Sequence, residues 1–255
     1  MSDIASPRIE SPLLSAAGFR HGFFTRLGGV SPAPRDSLDF ATSGGADPEH
    51  FAANLAVAAA GLGVPSDRIY LPSQVHGTTC LAADGSEAPA DFRKREGDAV
   101  FSRTPGVASA IRTADCVPVL LACPQSGWTA AIHAGWKGCV RGVVPTAVAT
   151  LRAAGATRLL AAVGPHIELA SFEVGDDVAE ELRAASPDPD IVVRGGAKPH
   201  VDLRRMVSSQ LLAAGLALED IDHVRGDTFA EPERFFSFRR DAELSGRLLT
   251  AIVAR

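Results

Sequence analysis

The sequence predicts a mixed protein, α/β or α+β, built on extensive sheet. Three observations lead there. Short apolar runs of strand length, rich in β-branched or aromatic residues, recur along the whole chain. Between them lie longer segments whose apolar residues return at three- and four-residue spacing, the helical period. Finally, 46% of the 255 residues are apolar, enough for a sizeable core, and no repeat, low-complexity block or long linker divides the chain. Helices and strands interleave, which favours sheet covered by helices.

In chain order, the first strand is expected at 22–25, in the aromatic run of HGFFT. A helix follows over 49–61, then a strand at 69–71. The charged stretch 90–98 reads as an exposed connection. Four strands are expected after it, at 99–101, 107–111, 117–123 and 128–133. A helix over 140–154 carries Pro145 near its start, where a missing N–H costs little, and Gly155 as its stop. A strand at 159–163 precedes a helix over 175–185. Loops are signalled at 187–190 and 195–199. The helix over 203–214 has Asp202 as N-cap and Gly215 as stop. A strand at 235–238, a short helix at 244–247 and a strand at 248–253 complete the set.

Bulk properties exclude several classes. The net charge is −5, and the basic clusters (Arg93 to Arg95, Arg204 with Arg205, Arg239 with Arg240) are isolated. A nucleic-acid binder would carry a continuous basic stripe with interleaved aromatics. The opening MSDIASPRIESP lacks the basic and apolar regions of a signal peptide, and no apolar run reaches the length of a membrane span. The cytoplasm is therefore the expected location, with no membrane partner. Four cysteines (Cys80, Cys116, Cys123, Cys139) in such a chain are expected to be thiols or ligands rather than a disulfide framework.

The chemistry concentrates in three segments, SQVHGTT, RTADCVPVLL and AAIHAGWKG. Cys116 and His133 stand at the ends of neighbouring apolar runs, and His76 lies in a loop upstream. If the three converge, one thiolate and two imidazoles suit zinc or copper and leave a fourth position open, the catalytic arrangement. Without convergence, Cys116 is a core thiol and the histidines are structural. Asp115 adjoins the cysteine and either orients a ligand, moves a proton or caps a turn. Gly135, Trp136, Lys137 and Gly138 precede a helix and suit an anion or a stacked ring, or form an ordinary turn. Arg26, in a glycine-rich turn, is a phosphate contact or a surface arginine. Arg239 and Arg240 follow FFSF, so one of them is expected to be buried and paired. His166, after Gly164 and Pro165, is a weaker candidate for a proton donor.

The ordered set HGFFTRLGGVSP, SQVHG, GDAVFS, RTADCVPVLL, AIHAGWKG, AVGPHI, FEVGDDV and FFSFRRDAELSGR resembles the YfiH/laccase-domain family. That family is also called the multicopper polyphenol oxidase, purine nucleoside phosphorylase or peptidoglycan editing factor family. The resemblance covers 18–255 as a single catalytic domain and leaves 1–17 as an N-terminal extension. It implies an α+β fold in which two mixed β-sheets pack between helical layers (α/β/β/α). It implies zinc on His76, Cys116 and His133. It also implies phosphorolysis of adenosine, inosine and methylthioadenosine, with adenosine deamination as a companion activity. Purine nucleoside and phosphate would be the partners. Cys116, Asp115 and His166 would be catalytic, and Arg26, Trp136, Lys137 and Arg239 would bind substrate.

Three positions depart from the family pattern. Lys137 stands where Arg commonly follows HAGW, so the planar fork for phosphate is lost. Gly226, Asp227 and Thr228 replace a usual Cys-Thr pair, and Ser37, Leu38 and Asp39 replace the usual SLN. Rival readings remain. A copper-dependent polyphenol oxidase needs many histidines in H-x-H patterns, and this chain has seven histidines and no H-x-H. A cysteine hydrolase would use Cys116 as nucleophile and His133 as base. A peptidoglycan-precursor editing or binding factor would favour a closed four-ligand zinc; Cys139 is near enough in sequence to be the spare ligand but is expected to face the core of its helix.

Overall fold

The computed structural model describes residues 7–255, so the first six residues of the expected extension lie outside the described part. Thirteen strands and eight α-helices are found among the described residues. The chain opens with β1 (Arg8–Ile9), α1 (Pro12–Ala16) and β2 (His21–Phe24). Next come α2 (Pro48–Leu62), β3 (Ile69–Tyr70), β4 (Cys80–Ala82) and α3 (Pro89–Phe92). The central strands are β5 (Ala99–Ser102), β6 (Ala108–Thr113), β7 (Val117–Ala122) and β8 (Thr129–Ala134). Helices α4 (Trp136–Arg141) and α5 (Val143–Ala153) lead to β9 (Leu160–Val163) and α6 (Asp176–Ala185). The rest is β10 (Val192–Val193), β11 (His200–Val201), α7 (Leu203–Ala213), β12 (Ile221–His223), α8 (Phe238–Asp241) and β13 (Leu248–Val253).

Two mixed sheets carry the fold. The first runs β1-β2-β13-β6-β3 and the second β12-β9-β7-β8-β5-β4. Strand alternation explains how they stack. In β7, Leu120 and Ala122 join Ile111 of β6, Ile252 of β13 and Phe23 of β2 in the cluster between the sheets. Val119 and Leu121 face the other way, into the cluster built with Val144, Val148 and Leu151 of α5 and Met206, Val207 and Leu211 of α7. On the outer face of the first sheet, Ala110, Leu249 and Ala251 pack against Leu55, Ala58 and Leu62 of α2. The result is the α/β/β/α layering that the resemblance implied. Because β7 is covered on both faces, all six of its residues are buried, which is why it reads as an unbroken apolar run.

Residues 8–16 lie on this framework. Arg8 and Ile9 pair with Phe24 and Phe23, and Leu14 is fully buried. Ser11 caps α1, accepting from Leu14 N, and donates to Asp222 of β12.

Three expectations are corrected. The helix over 140–154 is two helices, broken at Gly142, whose φ of 82° lies in the left-handed region that glycine tolerates. Residues 235–238 form no strand. Phe235 and Phe236 are both buried beside Leu248, and the chain turns at once into α8, which Ser237 caps by accepting from Arg240 N. Residues 244–247 are not a helix: a 3-10 turn, Ala242–Leu244, ends there. The caps at Asp202, Gly155 and Gly215 are as expected, with Asp202 accepting from Arg205 N at 2.8 Å. Among the described residues, no helix is long and apolar enough to cross a membrane.

Candidate metal centre

Strand register assembles the site. Strands β7 and β8 are antiparallel, with Pro118 opposite His133 and Val117 opposite Ala134. Cys116, just before β7, therefore meets the end of β8. Strand β5 lies on the other side of β8, with Ala99 opposite Ile132. That register places Asp98 beside His133, whose N–H donates to the Asp98 carbonyl at 2.7 Å. His76 comes from the loop between β3 and β4 and adopts φ 57°.

The ligand atoms of His76, Cys116 and His133 lie within 4.8 Å of one another, the one such His/Cys/Asp/Glu group among the described residues. Cys116 Sγ is 3.9 Å from His76 Nε2. The two imidazoles meet edge to face with centroids 4.8 Å apart. Gly135 lies against all of this. A Cβ there would fall 2.7 Å from His76 Cδ2 and 3.0 Å from Cys116 Sγ. The absence of a side chain, not an unusual backbone angle, is what the position needs, since its φ is −67°.

Asp98 organises the centre. It is fully buried, and its carboxylate accepts from His133 Nδ1 at 2.8 Å and from the backbone N–H of Val75, His76 and Gly77 at 3.2, 2.9 and 2.7 Å. Burial pushes its carboxyl up, but the His133 bond and the backbone donors outweigh that and hold it below the usual carboxylate range. With Nδ1 of His133 committed to Asp98, Nε2 is the nitrogen left for a ligand, the usual support of a metal-bound imidazole. Burial works against the Cys116 thiolate, yet the two histidines bring its pKa down to about 6. His133 is opposed by burial and raised to about 9 by Cys116 and Asp98. The cluster thus holds a thiolate at neutral pH, the form that ligates a metal. Donor chemistry, spacing and support all fit a single cation.

The ligands open on a cavity of about 960 Å³. It is lined by aromatic residues, Trp136, Phe172 and Phe238, and by basic ones, Arg35, Arg112 and Arg247. The two kinds meet where the Arg247 guanidinium lies 5.7 Å from the centre of the Phe238 ring. Of the candidates from sequence, Asp115, Trp136 and Arg239 also line it. Asp115 is already engaged: its oxygens accept from Thr228 Oγ1 at 2.7 Å and Arg239 N at 2.6 Å. It is an anchor between loops. Arg240 is the paired member of its dipeptide, bonding Asp241 and the carbonyls of Thr228, Phe229 and Phe235.

Three candidates stand elsewhere. Arg26 clamps a loop, donating to Asp36 O at 2.7 Å and Pro232 O at 2.9 Å, with its guanidinium over Phe236. Lys137 is exposed and folds over the Trp136 ring, away from the lining. His166 is fully buried, with Nδ1 bonded to Gly164 O at 2.7 Å. Burial and the charge of Arg204 lower its pKa to about 4, so it is neutral and sealed from any substrate. Cys139 is no fourth ligand: it is buried beneath Ala134 O, and burial raises its pKa. Asp98, Gln74, Arg112 and Arg247 are site residues that sequence reasoning missed. Asp98 does stand in the GDAVFS segment, directly before a strand.

Comparison with known proteins identifies the family and fold. The family model described as multi-copper polyphenol oxidoreductase laccase matches residues 20–255. A Deinococcus radiodurans protein named purine nucleoside phosphorylase is 40% identical over 248 residues, covering 96% of this chain and 92% of that protein. The Escherichia coli purine nucleoside phosphorylase YfiH is 36% identical over 230 residues, covering 89% and 90%. The crystal structure of YlmD from Geobacillus stearothermophilus matches with a TM-score of 0.90 at 29% identity, covering 97% of this chain and 95% of that one. The chain belongs to this YfiH/laccase-domain family.

Proposed function

We propose that this member of the YfiH/laccase-domain family is a metal-dependent purine nucleoside phosphorylase acting on adenosine, inosine and methylthioadenosine. The observation that carries the reading is the His76–Cys116–His133 cluster opening on a cavity lined by both aromatic and basic residues. The names of its relatives support the substrate class.

Zinc is the ion we assign, because a thiolate and two imidazoles form a zinc donor set with one position left over. Copper would bind the same atoms tightly where it is available. Multi-copper oxidation finds less support: of seven histidines, only His76 and His133 converge. When bound, the ion supplies Lewis acidity, which polarises a purine substituent or acidifies water for a companion deamination.

The chain's own residues do the rest. Trp136, Phe172 and Phe238 offer flat faces for a purine and exclude water around it. Asp98 holds His133 and the His76 loop at fixed distance. Asp115 fixes the Arg239 backbone at the cavity wall. In the reaction, a phosphate oxygen forms a bond to ribose C1′ as the bond from C1′ to the base breaks. The base leaves with the electron pair and takes up the proton that phosphate gives up. We place the activity in the cytoplasm, where four unpaired cysteines would stay reduced.

The test is Cys116→Ala, assayed for free base and ribose 1-phosphate from inosine and phosphate. Turnover is expected to fall to background. Full turnover by the variant after removal of metal would overturn the scheme.

A further inference from the structure

The cavity lining includes three guanidiniums whose bonds all go to carbonyl or hydroxyl oxygens. Arg35 donates to the carbonyls of Ser43, Gly44 and Glu243 at 3.4, 2.8 and 3.2 Å. Arg112 donates to Thr42 Oγ1 and to Pro72 O at 3.2 Å. Arg247 donates to Ser245 O and Gly246 O at 3.0 and 2.9 Å. Among the described residues, none of the three is in an ion pair.

Two of the carboxylates nearby have other work; a third, Glu243, lines the cavity and meets Arg35 through its backbone carbonyl. Asp39 Oδ1 accepts from the backbone of Ala41 and Arg247. Glu173 faces Lys198 at 3.6 Å. The Nε of Arg112 is buried and has no partner. Burial, followed by the charges of Arg93 and Arg247, lowers the Arg112 pKa to about 10, and Asp39 offsets only part of this. A guanidinium such as that of Arg112, largely sheltered from water and beside other cations, is held at a cost that a bound anion would relieve.

Position argues for the same occupant. Arg112 lies on β6, and the chain from it to Cys116 spans at most ~14 Å when extended. Gln74 holds the Arg112 end: its side chain donates to Arg112 O at 2.6 Å and accepts from Arg112 N at 2.8 Å. Gln74 belongs to the same loop as His76, so Arg112 is fixed relative to the metal ligands. A guanidinium fork matches two oxygens of one phosphate.

We propose that Arg112, with Arg35 and Arg247, forms the site for a phosphate dianion. Its role as co-substrate rests on the phosphorylase reading above; the anion site itself does not. A nucleoside would then lie between this site and the metal ligands, with C1′ facing the phosphate.

The same chemistry would take free orthophosphate or the phosphate of a nucleoside monophosphate, and the test separates them. Inorganic phosphate alone is titrated calorimetrically into the wild-type protein, Arg112→Gln and Arg247→Gln, followed by adenosine monophosphate. The KM values for phosphate and inosine are measured in parallel. Wild type is expected to bind orthophosphate, and each variant to weaken it at least ~10-fold. The KM for phosphate should rise with it, while that for inosine stays within about twofold. Unchanged phosphate affinity in both variants overturns the proposal. So does wild type binding the monophosphate but not orthophosphate, which would assign the site to a nucleotide. If orthophosphate binds through Arg112 but inosine is not cleaved, the anion site stands and the phosphorylase reading fails. Should Arg112→Gln not fold, Arg247→Gln carries the test, since its bonds reach only adjacent carbonyls.

Discussion

Asp98→Asn isolates the group on which the centre depends. In the native protein, Oδ1 accepts from His76 N and His133 Nδ1, and Oδ2 accepts from Val75 N and Gly77 N. An asparagine has the same shape but only one acceptor oxygen. Whichever way its amide is turned, two buried donors face an NH2 group. Each bond to a charged group contributes ~1.5–3 kcal/mol, so the loss is ~3–6 kcal/mol with the NH2 toward Val75 and Gly77, and ~1.5–3 kcal/mol with it toward His133, whose Nδ1 can then accept. For a chain of this size, each kcal/mol corresponds to ~2–4 °C, so Tm should fall by at least ~3 °C. A second effect separates positioning from mere stability. If the amide donates to Nδ1, the histidine proton moves to Nε2, the atom a metal needs. Affinity for zinc, measured on folded protein at 25 °C against a competing chelator dye, should drop ~10–100-fold. A variant with unchanged Tm and unchanged zinc affinity would refute the assignment of Asp98 as organiser.

Gly135→Ala should fold, since its φ of −67° suits alanine, but the new methyl would press on His76 and Cys116. Zinc affinity is expected to fall by ~10-fold or more with little change in the Tm of metal-free protein, by the same dye competition. His166 predicts an acid sensitivity. Its folded pKa of about 4 lies below the ordinary histidine value of 6.5, so the unfolded chain binds its proton first. The contribution is present above pH 6.5 and is lost as pH falls toward 4, amounting to ~2 kcal/mol between pH 7 and 5. Urea unfolding of wild type and His166→Asn at both pH values checks this: the asparagine variant should lose less stability on acidification.

Much of the fold is visible in the sequence because its central strands are buried on both faces. The runs at 117–122 and 129–134 have only one plausible structure, and each places a ligand at its end. Asp98 is different. It closes a charged stretch and reads as solvated, and only the pairing of β5 with β8 places it under His133. Arg112 is similarly hidden, since an arginine near the end of a strand is ordinarily exposed. Its environment comes from Thr42 and Gln74, far away in the chain. Arg26 and Lys137 stand in glycine-rich turns suited to anions, and His166 follows a strand as a candidate proton donor, yet Arg26 clamps a loop, Lys137 lies exposed over Trp136 and His166 is buried. The sequence marks where the chain turns tightly but not which side of the turn meets the cavity.

The segment from Arg112 to Cys116 would bring the proposed metal and anion sites into one place. Arg112 belongs to the first sheet and Cys116 leads into the second, so the residues between them cross the gap where the layers part. Such a crossing needs a sharp change of direction, and Asp115 takes φ 88°, unfavourable for a side-chain-bearing residue. Its carboxylate offsets that cost by holding Thr228 and the Arg239 backbone. The same turn therefore presents the thiolate on one side, anchors the far wall through its middle, and leaves a guanidinium on the other. Cys116 cannot move relative to Arg112 without breaking Asp115's bonds or Gln74's hold on the strand. A site whose binding groups sit on opposite ends of one braced crossing is suited to joining two small molecules at a fixed separation, as phosphorolysis requires.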